Sequence, residues 1–234
     1  MPIPGDIEFW GLDSGERHAV GGSDYGAVRA GAFMGLRMLS EQIDVPGGYL
    51  ANLDPSKYEG ELLRDLPEEM SGDEFIRRHG GTSDTVTSIE PERRYRVRTP
   101  TAHPVYERRR AERFRALLCE RCGDDSSRRA RLVELGALMS ESHAGYGACG
   151  LGSPGTNRLA ALVRDEGPAA GLYGSRITGG GSGGTVAVVG RHDASPAIDR
   201  VARNYQRETG YRPYVFAGSS PGAAACGVHA GRGL

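Results

Sequence analysis

Among its 234 residues the chain has a single lysine, Lys57, and so no Gly-Lys-Ser or Gly-Lys-Thr tripeptide. A Walker-type phosphate loop, which needs that lysine beside its glycines, is excluded. No apolar run approaches the roughly 20 residues a membrane helix needs. The opening Met-Pro-Ile-Pro-Gly-Asp has neither the basic nor the apolar region of a secretory signal, so a cytoplasmic place and no membrane partner are expected. A formal net charge of −1 and a pI near 6.6 leave no global field that would draw nucleic acid. Four cysteines, at 119, 122, 149 and 226, are too few for a disulfide framework in a chain of this length. Cys119-Glu120-Arg121-Cys122 has metal-ligand spacing, and His103, His143 or Cys149 could complete a zinc site. The pair falls in an apparent helix with no second paired ligand, so reduced thiols and no metal ligands are expected.

Glycine, in contrast, is abundant, at 36 residues. Its densest stretch is Gly179-Gly180-Gly181-Ser182-Gly183-Gly184, which runs into the β-branched Thr185-Val186-Ala187-Val188-Val189. Residues without Cβ can turn through positive φ and approach a ligand closely, and amides aimed one way form a nest for an anion such as phosphate. The stretch also satisfies G-x-G-x-x-G, but a dinucleotide fingerprint follows a strand and opens a helix. This one opens onto a strand, so a hairpin corner is the competing reading.

Along the chain, Ile7–Asp13 reads as a buried strand and residues 24–43 as a long helix stopped by Pro46-Gly47-Gly48. Short acidic helices and turns follow to residue 92, with Asp73–Arg78 the clearest. Helices are expected over 105–121, 128–142 and 156–165, the last capped near Ser153 or Thr156. Strand, glycine loop and strand come next. Ser195-Pro196 has serine where a cap belongs and proline at a first helical position, and that helix should stop near Gly210. Pro213–Phe216 returns as a strand, and the small-residue tail from Gly218 should fray. Strands and helices mixed in this way indicate an α+β fold.

Several blocks carry a resemblance. Ile177-Thr178-Gly179-Gly180-Gly181-Ser182-Gly183-Gly184-Thr185-Val186 resembles the third conserved motif of the GHMP small-molecule kinases. Leu138-Met139-Ser140-Glu141-Ser142-His143 resembles the Leu-Met-x-x-Ser-His segment of the sugar kinases in that family. Asp13-Ser14-Gly15-Glu16-Arg17-His18 with Ser23-Asp24-Tyr25 resembles a galactokinase stretch, Asp-Ser-x-x-Arg-His…Ser-x-Tyr. Phe9–Gly15 and Cys149–Thr156 are similar to L-arabinokinase-type proteins. The resemblance implies a ferredoxin-like GHMP kinase C-terminal domain over 45–234, preceded by a remnant strand and helix of the N-terminal domain over 1–44.

The activity it implies is ATP-dependent formation of a sugar 1-phosphate from an arabinose- or galactose-like monosaccharide, with Mg²⁺ on the ATP phosphates. It implies sugar contact by Tyr25 and Arg17. Gly179, Gly180, Gly181, Ser182, Gly183 and Gly184 would form the phosphate-side loop, and Ser142 and His143 would line the cleft. Galactokinase-like proteins begin with Gly-Arg-x-Asn-x-x-Gly-Glu-His. An ATP-cradling Gly-Leu-Gly/Ser-Ser-Ser-Ala loop follows, and then a Gly-x-Met-Asp-Gln segment with the catalytic aspartate. None occurs here, so no catalytic residue is assigned. The chain is expected to be the C-terminal portion of a kinase, inactive alone, whose N-terminal half is a separate chain or an upstream sequence. Asp13 is expected to end a strand rather than serve as base. Ile7–Asp13, short of sheet neighbours, should then leave an exposed edge around Phe9 and Trp10.

Other readings remain open. The chain could be a non-catalytic sugar-binding or regulatory domain. Residues 93–115 hold nine arginines against two glutamates, interleaved with Tyr95, Tyr106 and Phe114, as a nucleic-acid module would. Those arginines spread round a helix among Glu107 and Glu112, which favours a solvated helix. Ser142-His143 also has the chemistry of a hydrolase base beside a hydroxyl, without a G-x-S-x-G elbow to support it.

Overall fold

A computed structural model describes residues 3–17, 23–58 and 62–218; His18 and the tail beyond Gly218 lie outside the described residues. The strands are β1 (Ile7–Asp13), β2 (Glu69–Ser71), β3 (Arg94–Arg96), β4 (Leu172–Ile177), β5 (Thr185–Arg191) and β6 (Val215–Phe216). The early helices are α1 (Ser23–Ser40), α2 (Pro55–Tyr58), α3 (Leu62–Asp65) and α4 (Gly72–His79). The later ones are α5 (Arg98–Cys119), α6 (Asp125–Ala148), α7 (Pro154–Glu166) and α8 (Ser195–Thr209).

The main sheet is antiparallel with order β4-β5-β1-β6, and β2 and β3 form a separate pair. With α7 leading into β4 and α8 joining β5 to β6, this is the ferredoxin-like arrangement, its first crossover enlarged by everything from α1 to α6. β1, expected ahead of this domain, lies inside the sheet and pairs with β5 from Ile7 opposite Arg191 to Asp13 opposite Thr185. Both elements before residue 44 are therefore joined to later ones, β1 to β5 and α1 to α5.

Alternation along the strands splits the sheet into two faces. Trp10, Leu12, Val186 and Val188 pack under α7 and α8 with Leu159 and Val201. Ile7 and Val189 face α6 and its Leu132, Leu135 and Met139. Trp10 is 3% exposed, so the edge expected there is not an apolar one. Among the described residues β6 pairs with β1 only at Gly11 and Leu12, and the Ile7 amide donates to the Pro4 carbonyl at 3.0 Å. A third core, with Met34, Leu39, Phe75, Tyr95 and Val105, joins α1, α4 and α5.

Close backbone approaches set the layer spacing. A methyl group on Gly31 of α1 would stand 2.0 Å from the Arg96 carbonyl oxygen, and one on Gly35 would stand 1.8 Å from Thr101 Oγ1. This contact carries α5 seven residues further towards its N-terminus than the sequence signals suggest, through Pro100 and Pro104. The buried Pro100, Thr101 and Val105 offset the backbone bond that Pro104 cannot make. α8 also departs from expectation. Ala194, 2% exposed and packed in the core, takes the cap position, and Ser195 is the first helical residue. Core packing there outranks side-chain capping. Its end at Gly210, with φ 78°, follows the left-handed stop expected.

The same substitution should act with opposite sign at two sites in α6. A methyl on Gly136 would lie 2.0 Å from the Tyr173 carbonyl oxygen of β4, whereas one on Gly147 meets nothing within 4 Å. Gly136→Ala should destabilise by about 1–3 kcal/mol. Gly147→Ala should stabilise by up to ~1 kcal/mol. Urea unfolding of both variants checks the contrast; equal effects would rule out the close helix–sheet crossing.

Candidate functional site

The glycine loop between β4 and β5 is held by three other parts of the chain. Ser182 N–H donates to the Leu151 carbonyl at 2.6 Å, and Gly184 N–H donates to the Glu16 carbonyl at 2.9 Å. Ser14 adds two bonds to the Gly184 carbonyl, from its amide at 2.9 Å and its hydroxyl at 2.7 Å. The loop's near end is tied by Tyr146, whose hydroxyl donates to the Gly179 carbonyl at 3.1 Å.

Its backbone needs glycine. Gly179, Gly181, Gly183 and Gly184 have φ of 66°, 83°, 122° and 82°, and Ser182 at 59° is the one non-glycine at positive φ among the described residues. A methyl on Gly181 would also stand 2.5 Å from the Leu151 carbonyl oxygen. The amides of Gly179, Gly180, Gly181 and Gly183 donate to no acceptor among the described residues. Gly181 and Gly183 are buried as well. The loop therefore differs from a hairpin corner whose amides are spent on pairing.

Tyr25, in the first turn of α1, stands across from it; a methyl on Gly180 would lie 3.6 Å from Tyr25 Cε2. Between them opens a cleft of about 480 Å³, walled also by Tyr49, His103, Tyr146 and Leu151. Tyr25 and Tyr49 are 46% and 68% exposed, so two aromatic rings face solvent at its rim.

Glu16 was not singled out from sequence, yet it is the hub of this corner. Gly155 N–H donates to its Oε1 at 2.9 Å, and Ser153 Oγ donates to its Oε2. The carboxylate thus sits at the N-terminus of α7, where the helix dipole favours negative charge. Ser153 and Thr156 also form a reciprocal capping box there. Asp13 ends β1 as expected, accepting from Tyr211 Oη at 2.6 Å and from the Gly15 amide at 3.1 Å. Arg17 is exposed, and His18 lies outside the described residues.

Ser142 and His143 lie behind the loop, on the side of α6 facing β4, and not among the residues walling the Tyr25 cleft. His143 Nδ1 accepts from the Ile177 amide at 3.2 Å; that amide can only donate, so Nδ1 carries no proton. Burial pushes the imidazole below its ordinary value of 6.5, outweighing a hydrogen bond to Asn157. Ser142 donates to Glu107 Oε1 at 2.5 Å, beside a separate apolar hollow of about 340 Å³ lined by Phe9, Phe114 and Leu138. This removes the hydrolase geometry, since the serine proton points to a carboxylate on another helix.

Glu107 also accepts from Arg176 at 2.7 Å and Arg110 at 3.3 Å. Burial raises its carboxyl, but Ser142, Arg176 and Arg110 together hold it below the ordinary 4.5. The arginine-rich segment is largely consumed by such pairs. Arg93, Arg94, Arg98, Arg108 and Arg113 meet Glu90, Glu69, Glu68, Glu112 and Glu134, and Arg96 donates to the Ala148 carbonyl. Cys149 is buried, its thiol pushed up to about 11 by desolvation. Among the described residues no three His, Cys, Asp or Glu side chains are grouped to hold a metal. No helix among them is long and apolar enough to cross a membrane.

Two tests follow. Gly181→Val, which adds a clash with Leu151 to backbone strain, should destabilise by about 1–3 kcal/mol. Gly179→Ala, with open space around it, should cost about 1 kcal/mol. Equal losses would mean that Leu151 does not abut the loop. The second test concerns pH. Burial holds His103 and His143 below 6.5 in the fold, and Glu107 and Asp84 are held below 4.5 and 3.8. The unfolded chain therefore binds more protons on the acid side. Tm should fall from about pH 7 to about pH 5 as unfolded imidazoles charge, then further as the carboxylates protonate. A Tm level or rising over that interval would contradict the buried neutral histidines.

Residues 125–207 match the family described as GHMP kinases C terminal. The chain is 40% identical to L-arabinokinase from Arabidopsis thaliana over 267 aligned positions, covering 97% of this chain and 25% of that protein. The chain therefore spans about a quarter of the curated relative it matches. Lactococcus lactis galactokinase complexed with galactose superposes with a TM-score of 0.64 at 18% identity, over 93% of this chain and 46% of that one. That likeness extends the shared fold well beyond residues 125–207. Residues 125–207 are a GHMP kinase C-terminal domain, set in a chain that resembles the C-terminal part of galactokinase- and L-arabinokinase-like sugar kinases.

Proposed function

We propose that the chain is the C-terminal portion of an ATP-dependent kinase that phosphorylates C1 of an arabinose- or galactose-like monosaccharide. The observation that carries the reading is the loop itself, whose Gly179 and Gly180, with amides that meet no acceptor among the described residues, line the same cleft as the exposed Tyr25 ring. An aromatic wall suits a sugar's apolar face while its hydroxyl takes a hydrogen bond. Unpaired glycine amides in a low-dielectric corner suit phosphate oxygens. In this reading Tyr25 and Arg17 lie on the sugar side and Gly179–Gly184 on the ATP side.

The residues present fit a phosphate, because the buried Gly181 and Gly183 amides lack acceptors among the described residues. ATP would supply the transferred phosphoryl group, with Mg²⁺ on its oxygens. This chain's residues then position: the loop amides orient the phosphates, and Tyr25 orients the sugar. No residue here is assigned as the base. We read that role, with the main ATP loop, as belonging to an N-terminal half that docks as a separate chain or precedes this one. A cytoplasmic setting suits such carbohydrate metabolism.

A coupled assay with ATP, Mg²⁺ and L-arabinose or D-galactose tests the division of labour. The 234-residue chain alone should release no sugar-dependent ADP, and measurable turnover by the pure chain would overturn it. Calorimetry tests the sugar side. Tyr25→Ala should weaken monosaccharide binding by about tenfold, worth ~1.4 kcal/mol. If the wild-type chain binds sugar and the variant binds equally well, the Tyr25 assignment fails. Sugar binding without any partner-dependent turnover would favour a non-catalytic sugar-binding domain on the same cleft.

A further inference from the structure

A glycine loop carries no side chains with which to hold itself, and ordering it costs more backbone entropy than ordering any other residue type. At its far end Ser182 and Gly184 are fixed by Leu151, Glu16 and Ser14. Among the described residues, 179–181 have amides without an acceptor and one hydrogen bond to the rest of the fold: Tyr146 Oη to the Gly179 carbonyl, at 3.1 Å. A flexible tyrosine could not fix a loop. Tyr146 is itself clamped. The Arg176 guanidinium lies 5.2 Å from its ring centroid, and His103 meets the ring edge-on at 5.1 Å.

Arg176 is in turn held at both ends. Its Nε donates to the Ile177 carbonyl at 3.0 Å and its NH1 to Glu107 Oε1 at 2.7 Å. Glu107 is locked by Ser142 and Arg110. A continuous chain of contacts thus runs from α5, through Glu107, Arg176 and Tyr146, to the near end of the loop at Gly179, crossing α6 and the end of β4. The cation–π contact and the doubly accepted carboxylate make each step orientation-specific rather than merely cohesive.

We infer that Tyr146, clamped by Arg176 and Glu107, is a positioning residue that fixes the Gly179–Gly181 amides in their ligand-facing arrangement. The inference rests on the phosphate reading of the loop for its purpose, but not for its test. Tyr146→Phe removes one hydroxyl and keeps the ring between Arg176 and His103, so the variant should remain folded. In amide hydrogen exchange on the full chain without ligand, residues 179–181 should exchange about tenfold faster than in wild type. Protection across Leu172–Ile177 and Thr185–Arg191 should not change. Unchanged exchange at 179–181 overturns the inference. So does a rise shared evenly with both strands, since that would mark a general structural role.

Arg176→Lys keeps the charge but loses the planar face and the forked contact to Glu107. It should reproduce the loop-specific effect with Tyr146 intact; exchange at 179–181 equal to wild type overturns the clamp. A second measurement uses ADP with Mg²⁺ as probe and follows the loop amide resonances. Wild-type resonances should shift on titration, and Tyr146→Phe should raise the dissociation constant about tenfold, whereas equal affinities overturn the positioning role. If the wild-type resonances do not move, the phosphate reading falls, and the ligand-free exchange decides the positioning role by itself.

Discussion

The register of β1 on β5 decides where the rest of the site goes. Asp13 pairs with Thr185, so the chain leaving β1 and the loop entering β5 emerge side by side. Ser14 and Glu16 then meet Gly184 as the next residues along each strand. A slip of one residue would turn Trp10 and Leu12 away from α7 and α8 and face Phe9 into that core instead. It would also carry Ser14 out of reach of Gly184. The apolar alternation that buries Trp10 is thus the same constraint that delivers Glu16 to the glycine loop and to the N-terminus of α7. Core and site share one register, although about 170 residues separate the two strands in the chain.

From that point the sequence blocks converge. Residues 13–17 supply Ser14 and Glu16, and residues 150–156 supply Leu151, Ser153 and Gly155. Residues 138–143 supply His143 to the Ile177 amide just before the loop. Three of these contacts are to loop backbone, which explains why the loop can be made of glycine. Its conformation is imposed by neighbours, so its own residues are free to be small. The helix N-terminus of α7 offers amides that could attract an external anion. Glu16 occupies it instead, which closes that helix end to an external anion.

Legibility followed the range of the interactions. β1, β4, β5, the α7 cap at Ser153 and the αL stop at Gly210 are set by alternation, a capping hydroxyl or a single φ. All of these lie within a few residues of the signal. The loop's positive φ values were readable for the same reason. What could not be read depends on contacts between distant segments. α5 runs through Pro100 and Pro104 because α1 presents Gly31 and Gly35 to it, and neither helix states that alone. A Gly-x-x-x-Gly spacing in a soluble helix was the signal available. Ala194 at a cap reflects burial, not propensity. Glu16 occupied an x in its motif and so carried no weight, while Ser142 and His143, which matched, turn out to brace the loop from behind.

The arginines show how the same composition can mean two things. A local excess of seven positive charges would steer a polyanion if it stood free in solvent. Instead some guanidinium groups meet carboxylates near them in the chain, as Arg108 does Glu112, and others reach distant ones, as Arg94 does Glu69, Arg98 Glu68 and Arg113 Glu134. Exposed pairs of this kind contribute little stability one by one. The half-buried set around Glu107 is different, because its charges are screened less by salt and solvent. Arg176 cannot leave Glu107 without losing the ring of Tyr146, and Tyr146 cannot move without releasing Gly179. The charge that reads in sequence as an affinity for phosphate backbones is thus turned inward, where it joins α5 to β4 and to the ring of Tyr146.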